Sequence, residues 1–343
     1  MVYRKNVTLK EVADKSGVSI ATVSRVLNES GYVSPDISKN VRATVKKLGY
    51  YQNLTARSLK TNSTNMIALI TADISNPYMI TVAKAIENLI QEQNYNLLVC
   101  STEGDPDREF AHLNMQMSRN VDGIVINATG LNEDLIERIS NRIPLVLVHR
   151  EYYTQGFTGD FVDSDNEKGT YGLTKHLLAY GHRNIFVIKG NKHASTNTYR
   201  FKGFITAMAE AGIEVNEFYP FQFDGNFSEE SGFKAVEYLQ TLPIRPTAIL
   251  GLNNTMTVGA LRALLASRIT VPEQMSIVSY NDIDYKELMT IRPTLHAINP
   301  AEIGELAGKA LLERLANNKL PNREFILEGH MIPGNTVSIP ALE

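Results

Sequence analysis

From Met66 onward the apolar residues fall into short runs: MIALIT, NLLVC, GIVIN and LVLVH, then NIFVI, YPFQF, TAILGL and SIVSY. Runs this short, rich in β-branched and aromatic residues, read as buried strands rather than as helices. Between them, MITVAKAIENLIQEQ, DREFAHLNMQMS, NEKGTYGLTKHLLAY, FKGFITAMAEA, EESGFKAVEYLQ and TVGALRALLAS carry apolar residues at helical spacing. Alternation of strand and helix predicts parallel sheets covered by helices on both faces. Two such sets in one chain predict two doubly wound α/β subdomains, with a ligand crevice outside the carboxyl ends of their strands.

The first fifty residues have a different pattern. Thr8 and Glu11 form a T-x-x-E capping box, which starts a helix at Leu9 with Leu9, Val12 and Ala13 on its apolar stripe. Gly17 allows a tight turn, and Ser19 caps a second helix whose Val23, Val26 and Leu27 point inward with Val18. Ser34-Pro35 opens a third helix, with Ile37, Val41, Val45 and Leu48 on one side and Gly49 as its stop. The prediction is an all-α helix-turn-helix headpiece. On its second helix Ile20, Ala21, Ser24, Arg25 and Asn28 then face outward. Arg25 can bond both O6 and N7 of a guanine, a contact worth about 1–3 kcal/mol of discrimination. Ile20 and Ala21 suit a thymine methyl, while Ser19 and Ser34 suit phosphates.

Charge supports a polyanion partner at this end only. Residues 1–60 hold eleven Lys or Arg against four Asp or Glu, a surplus of +7 in a chain whose net charge is −3. Composition narrows the class further. With 43% apolar and 21% charged residues the chain reads as globular, and the single cysteine, Cys100, excludes a disulfide framework and fits a reducing compartment. Charges interrupt MVYRKNVTLKEVAD before an apolar leader can form, and IPLVLV is too short to span a bilayer, so a cytoplasmic protein with no membrane partner is expected. There is no G-x-G-x-x-G, Walker A lysine, H-E-x-x-H or G-x-S-x-G. The chain is therefore expected not to be an enzyme and to need no cofactor and no metal.

T-L-K-E-V-A-D-K-S-G-V-S-I-A-T-V-S-R-V-L-N, residues 8–28, closely resembles the DNA-binding headpiece signature of the lactose/galactose-repressor family of bacterial transcription regulators. The resemblance implies a fold like a periplasmic sugar-binding protein behind a headpiece. It divides the chain into 1–49 (headpiece), 50–64 (hinge), 65–162 with 292–322 (one subdomain) and 163–291 with 323–343 (the other). It implies two copies meeting a pseudo-palindromic double-stranded operator, with Thr8, Tyr32, Tyr50 and Asn53 also facing DNA. In the polar linker YYQNLTARSLKTNST it implies a hinge helix in which Leu59, flanked by Ala56, Arg57 and Lys60, wedges into the minor groove. An apolar wedge held by basic residues is how kinking proteins work; packing of Leu59 on a neighbouring domain is the alternative. VSIPALE has no leucine heptads, which favours a homodimer over a tetramer.

Carried across by motif, the family's effector positions fall on Tyr78 of N-P-Y, Asn127 ending the third strand, Arg200 of R-x-x-G-F, Phe227 before S-E-E-S-G-F, and Asn253. An aromatic ring to stack on a sugar face, with Arg and Asn for its hydroxyls, suits a small polyol. Three positions depart from the family: His149, Asn254 and Asn281 stand where members usually have aspartates. With Lys189 at another strand end, this predicts a cleft that has shed its carboxylates and tolerates an acidic effector, a sugar acid or sugar phosphate. The competing class is a sugar-binding receptor without DNA function, which the basic headpiece argues against.

Overall fold

In the computed structural model, residues 7–51, 63–151, 154–284 and 286–341 are described. Contacts divide the chain into two units, residues 1–64 and 65–343.

In the first unit, helices α1 (Leu9–Ser16), α2 (Ile20–Leu27) and α3 (Pro35–Leu48) enclose a small core. The capping box forms as read: the Thr8 hydroxyl accepts from the Glu11 amide at 3.2 Å, and a Glu11 carboxylate oxygen accepts from the Thr8 amide at 2.7 Å. Gly17 takes the left-handed φ of 69° that ends α1. The Ser19 hydroxyl accepts from the Thr22 amide at 3.1 Å and starts α2. Ser34 precedes α3 but makes no side-chain cap, and Ile37, expected inside, is 37% exposed. Val12, Val23 and Val41 are fully buried, each contributing about 1.5–3 kcal/mol by leaving water. The Asn40 amide donates to the Ser16 carbonyl at 2.9 Å and ties α3 to α1.

The second unit contains two six-stranded sheets. Strands β1 (Met66–Thr71), β2 (Asn96–Ser101), β3 (Gly123–Ile126), β4 (Leu145–Val148), β5 (Asp160–Ser164) and β11 (Arg323–Leu327) form one, in the order β11-β5-β4-β3-β1-β2, all parallel. Strands β6 (Ile185–Lys189), β7 (Gln222–Asp224), β8 (Ala248–Gly251), β9 (Ser276–Tyr280), β10 (Thr294–Ala297) and β12 (His330–Ile332) form the other, in the order β12-β10-β9-β8-β6-β7. Its last strand, β12, runs antiparallel to β10. Both sheets therefore follow one winding plan, and each has its topological switch beside its first strand, where a crevice opens.

Helices α4 (Pro77–Gln91), α5 (Pro106–Ser118), α6 (Glu133–Ser140) and α11 (Pro300–Ala316) cover the first sheet, α4 packing on α11. Helices α7 (Asn166–Ala179), α8 (Ser195–Glu210), α9 (Glu229–Gln240) and α10 (Asn254–Ala266) cover the second. The apolar-run reading found eight of these strands and missed β5, β10, β11 and β12. Sheet membership also corrects the expected lobe boundaries. Strand β10 belongs to the second lobe and β11 to the first, so the crossings placed near 162, 291 and 322 fall at 164–166, 297–300 and 327–330. For β11 the physical reason is its parallel pairing with β5 and an ion network at that edge of the first sheet: Asp160 of β5 accepts from Arg314 at 2.7 Å and from Arg323 of β11 at 2.8 Å, while β10 pairs with β9 of the second sheet. No helix among the described residues is long and apolar enough to cross a membrane.

Candidate functional site

Two sites emerge, one in each unit. On the headpiece, Ser19, Ile20, Ala21, Arg25 and Asn28 form an exposed face of α2, with Ile20 48% in solvent. Val23 and Val26 of the same helix lie in the core, so the helix is divided as its sequence predicts. Ser24 is half-buried, and its hydroxyl accepts from the Asn28 amide at 3.1 Å. Tyr32 is 87% exposed. Tyr50 packs against the small core, Thr8 is engaged in its capping box, and Ser34 is half-buried. Asn53, Ala56, Leu59 and Lys60 lie outside the described residues.

The second site is a cleft between the two sheets, lined from the carboxyl ends of strands on both sides. The first lobe supplies Tyr78 from α4, Asn127 after β3, and His149 and Arg150 after β4. Opposite them stand Arg200 from α8, Phe227 after β7, Asn253 and Asn254 after β8, and Asn281 after β9. Seven of the eight expected effector residues are thus brought together. Lys189 is the exception and a correction: its ammonium turns away to Asp224 at 2.8 Å and Gln222 at 3.1 Å, over the ring of Phe201.

Arg200 is 5% exposed, and two of its three guanidinium nitrogens are tied to the protein. Its Nε donates to Asn166 Oδ1 and its Nη1 to the Leu252 carbonyl, both at 2.7 Å, and it stacks 3.9 Å from the ring centre of Tyr280. Asn166 in turn donates through Nδ2 to Asp163 Oδ2 at 2.6 Å, and the other Asp163 oxygen lies 2.9 Å from His149 Nδ1. The expectation of a cleft without acids is corrected here. Asp163, 3% exposed on β5, restores a carboxylate behind the three positions that lack one. It was hidden from sequence reading because FVDS resembles a loop rather than a strand; the apolar pair Phe161-Val162 just before the acid was the available signal.

Three cleft atoms are buried with no hydrogen-bond partner among the described residues: the Tyr78 hydroxyl, His149 Nε2 and Asn281 Oδ1. Leaving such groups unpaired costs about 1–3 kcal/mol each, so the cleft is built to receive polar atoms from a ligand. Burial, followed by the nearby Asp163 charge, pushes the Tyr78 hydroxyl well above its ordinary value, and burial pushes Tyr280 up to about 12, so both stay neutral. His149, Phe227 and Asn281 also share a left-handed backbone, with φ of 65°, 69° and 68°. That conformation is costly for a side-chain-bearing residue and collects at ligand sites. Under Phe227 only glycine fits, since a Cβ on Gly190 would lie 2.0 Å from the ring.

Asn253 lines the cleft, but its side chain is committed elsewhere. Its oxygen caps α10 at the Met256 amide (2.8 Å), and its amide donates to the Phe227 carbonyl at 3.2 Å. It positions Phe227 rather than offering itself. Residues not singled out by motif join the lobes: the Glu151 amide donates to Ser195 Oγ and the Tyr199 hydroxyl to the Glu151 carboxylate, both at 2.9 Å. The Asn254 amide donates to Asn76 Oδ1 at 3.3 Å across the mouth.

Comparison with known proteins agrees with both halves. Residues 8–53 match the model of bacterial regulatory proteins of the lacI family, and residues 174–337 match a periplasmic binding protein-like domain. An HTH-type transcriptional repressor PurR from Haemophilus influenzae (strain PittEE) is 33% identical over 312 residues, covering 90% of this chain and 91% of the relative. Among solved structures, the lac repressor dimer bound to operator and the anti-inducer ONPF superposes with a TM-score of 0.81 at 22% identity, covering 97% of this chain and 100% of that one. The transcriptional regulator CelR in complex with cellobiose superposes with a TM-score of 0.70 at 25% identity, covering 96% and 100%. With its divided recognition helix, its twin sheets and a close relative along nine-tenths of its length, the chain belongs to the lacI family of bacterial regulatory proteins: it is a DNA-binding transcriptional repressor regulated by a small-molecule effector.

Proposed function

We propose that the effector is a small sugar-type molecule bound in the interlobe cleft, and that two copies of the chain present their α2 helices to the half-sites of one operator. The observation that carries the effector reading is the set of unpartnered buried polar atoms of Tyr78, His149 and Asn281 beside the ring of Phe227. A sugar fits that set, because one face of its ring is apolar enough to lie on an aromatic and its rim carries hydroxyls. The cellobiose complex of CelR is a precedent for such a ligand on this fold.

On the headpiece, Arg25 reads a guanine in the major groove, Ile20 and Ala21 meet a thymine methyl, and Ser19 holds a phosphate. Effector binding favours one lobe arrangement over another, and operator affinity follows by reciprocal coupling. A full switch from 99:1 to 1:99 requires about 5.5 kcal/mol of differential affinity.

Selection of bound sequences from a random DNA pool, with and without a panel of monosaccharides, tests this. The expected product is a pseudo-palindrome with half-site centres one helical turn apart, whose retention changes with a sugar that also raises the melting temperature. Recovery of no preferred sequence, or melting unmoved by every sugar, rejects the corresponding half of the reading.

A further inference from the structure

The buried chain behind the cleft fixes more than position. A guanidinium can only donate, so Asn166 must turn its oxygen to Arg200 Nε (2.7 Å) and its amide away from it. That amide donates to Asp163 Oδ2 at 2.6 Å and to the Ser164 carbonyl at 3.0 Å. The remaining Asp163 oxygen faces His149 Nδ1 at 2.9 Å, and a carboxylate there accepts, so Nδ1 carries the proton. In the neutral ring Nε2 is then a lone pair. It is this atom that is buried, lines the cleft and has no partner among the described residues. Asn281 Oδ1 is a second unpartnered acceptor in the same cleft.

We propose that His149 is a specificity-determining acceptor, locked in one tautomer by Asp163, that selects an effector bringing a hydroxyl or other donor to Nε2. It rejects an effector bringing an acceptor-only group there. The inference rests on the cleft being the effector site, and it reverses the acidic-effector expectation. A hydroxyl both donates to His149 or Asn281 and accepts from the arginines of the cleft. A phosphate oxygen, or a fluorine in place of the hydroxyl, meets lone pair with lone pair at His149.

The proposal has a direct lever. In Asp163→Asn the Asn166 amide still demands an acceptor, so the new amide keeps its oxygen on Asn166 and turns its NH2 to His149. Nδ1 must then accept, the proton moves to Nε2, and the cleft atom becomes a donor. Long-range proton–nitrogen correlation spectra of the full-length protein labelled with ¹⁵N-histidine read this without any ligand, with the His149 signals assigned by their loss in His149→Gln. The expected result near neutral pH is an Nδ1-protonated ring in the wild type and an Nε2-protonated ring in Asp163→Asn. An Nε2-protonated or doubly protonated ring in the wild type overturns the proposal.

The second arm uses D-ribose, D-glucose, D-galactose and D-mannose, their terminal phosphates, and the monodeoxyfluoro analogues of any sugar that raises the melting temperature. For one analogue, binding should fall by about 10- to 100-fold in the wild type and recover in Asp163→Asn. A terminal phosphate that binds more tightly than its parent sugar overturns the proposal. If no sugar stabilises the protein, the sugar reading of the cleft fails, while the tautomer is still decided by the spectra.

Discussion

In the headpiece most of the described side chains assigned to major-groove reading stand in water, Ile20 at 48% exposure on α2 and Tyr32 at 87% in the segment between α2 and α3. In the cleft most side chains assigned to the effector are almost wholly buried, Arg200 at 5% and His149 at 7%, with Phe227 half-buried, and three of the lining residues hold left-handed backbone. The difference follows from what each site must bind. A duplex brings its own dense charge, and exposed donors are enough to displace its counterions. A small effector brings far less, so the protein must prepare its desolvation, orientation and strain in advance.

Salt should separate the two sites most strongly. If a dimer neutralises roughly 6–10 phosphates, operator affinity falls by about 10³–10⁵-fold between 50 and 200 mM salt, whereas effector affinity in the buried cleft stays nearly flat. Titration of both ligands across that range checks the contrast. Next in size, Arg200→Ala removes the donor that orders Asn166 and Asp163, and effector affinity should fall by about 30-fold or more by calorimetry, from a cost of about 2–5 kcal/mol.

Acid should weaken one unit and spare the other. Burial holds His176, His182 and His296 below the ordinary histidine value of 6.5, His296 at about 4, with the neighbouring His330 and Arg200 charges adding to it. Between those values the unfolded chain takes up protons that the folded core refuses, so this part of core stability is complete above pH 6.5 and lost as pH falls toward 4. Residues 7–51 contain no histidine. Hydrogen exchange on the full chain, corrected for intrinsic rates, should show core amides losing protection over that range while the headpiece shows no histidine-linked loss. The smallest effect concerns strain. Phe227→Ala and Phe227→Gly both lose the ring, but glycine accepts the φ of 69° without penalty, so the glycine variant should be about 1 kcal/mol more stable in thermal unfolding.

The same contrast explains what was legible in the sequence. The headpiece is specified by local rules: a cap three residues from its partner, a glycine at a left-handed turn, apolar residues one turn apart. Every one of these is visible in a window of ten residues, and α1 and α2 form as they predict. Among the strands that escaped notice, β5 shows the cause, because its polarity is satisfied largely at long range. DFVDS of β5 carries Asp160 and Asp163, and their partners Arg314, Arg323 and His149 come from three other segments, with Asn166 three residues on as the local one. Without those partners two acids in five residues argue against a buried strand. Motif transfer located Arg200 and Phe227, yet it could not show that Asn253 is a cap, that Lys189 faces away, or that Asp163 stands behind His149.

The most direct test of the account places one change in each site and reads both ligands. For the wild type, Arg25→Ala and Arg200→Ala, operator affinity is measured by fluorescence anisotropy with and without the sugar that stabilises the core. Arg25→Ala should lose about 10- to 100-fold in operator affinity and keep the sugar-induced melting shift, while Arg200→Ala should keep sequence-specific binding and lose its response to the sugar. A wild-type operator affinity that does not move with any sugar bound in the cleft would contradict the claim that the buried site governs the exposed one.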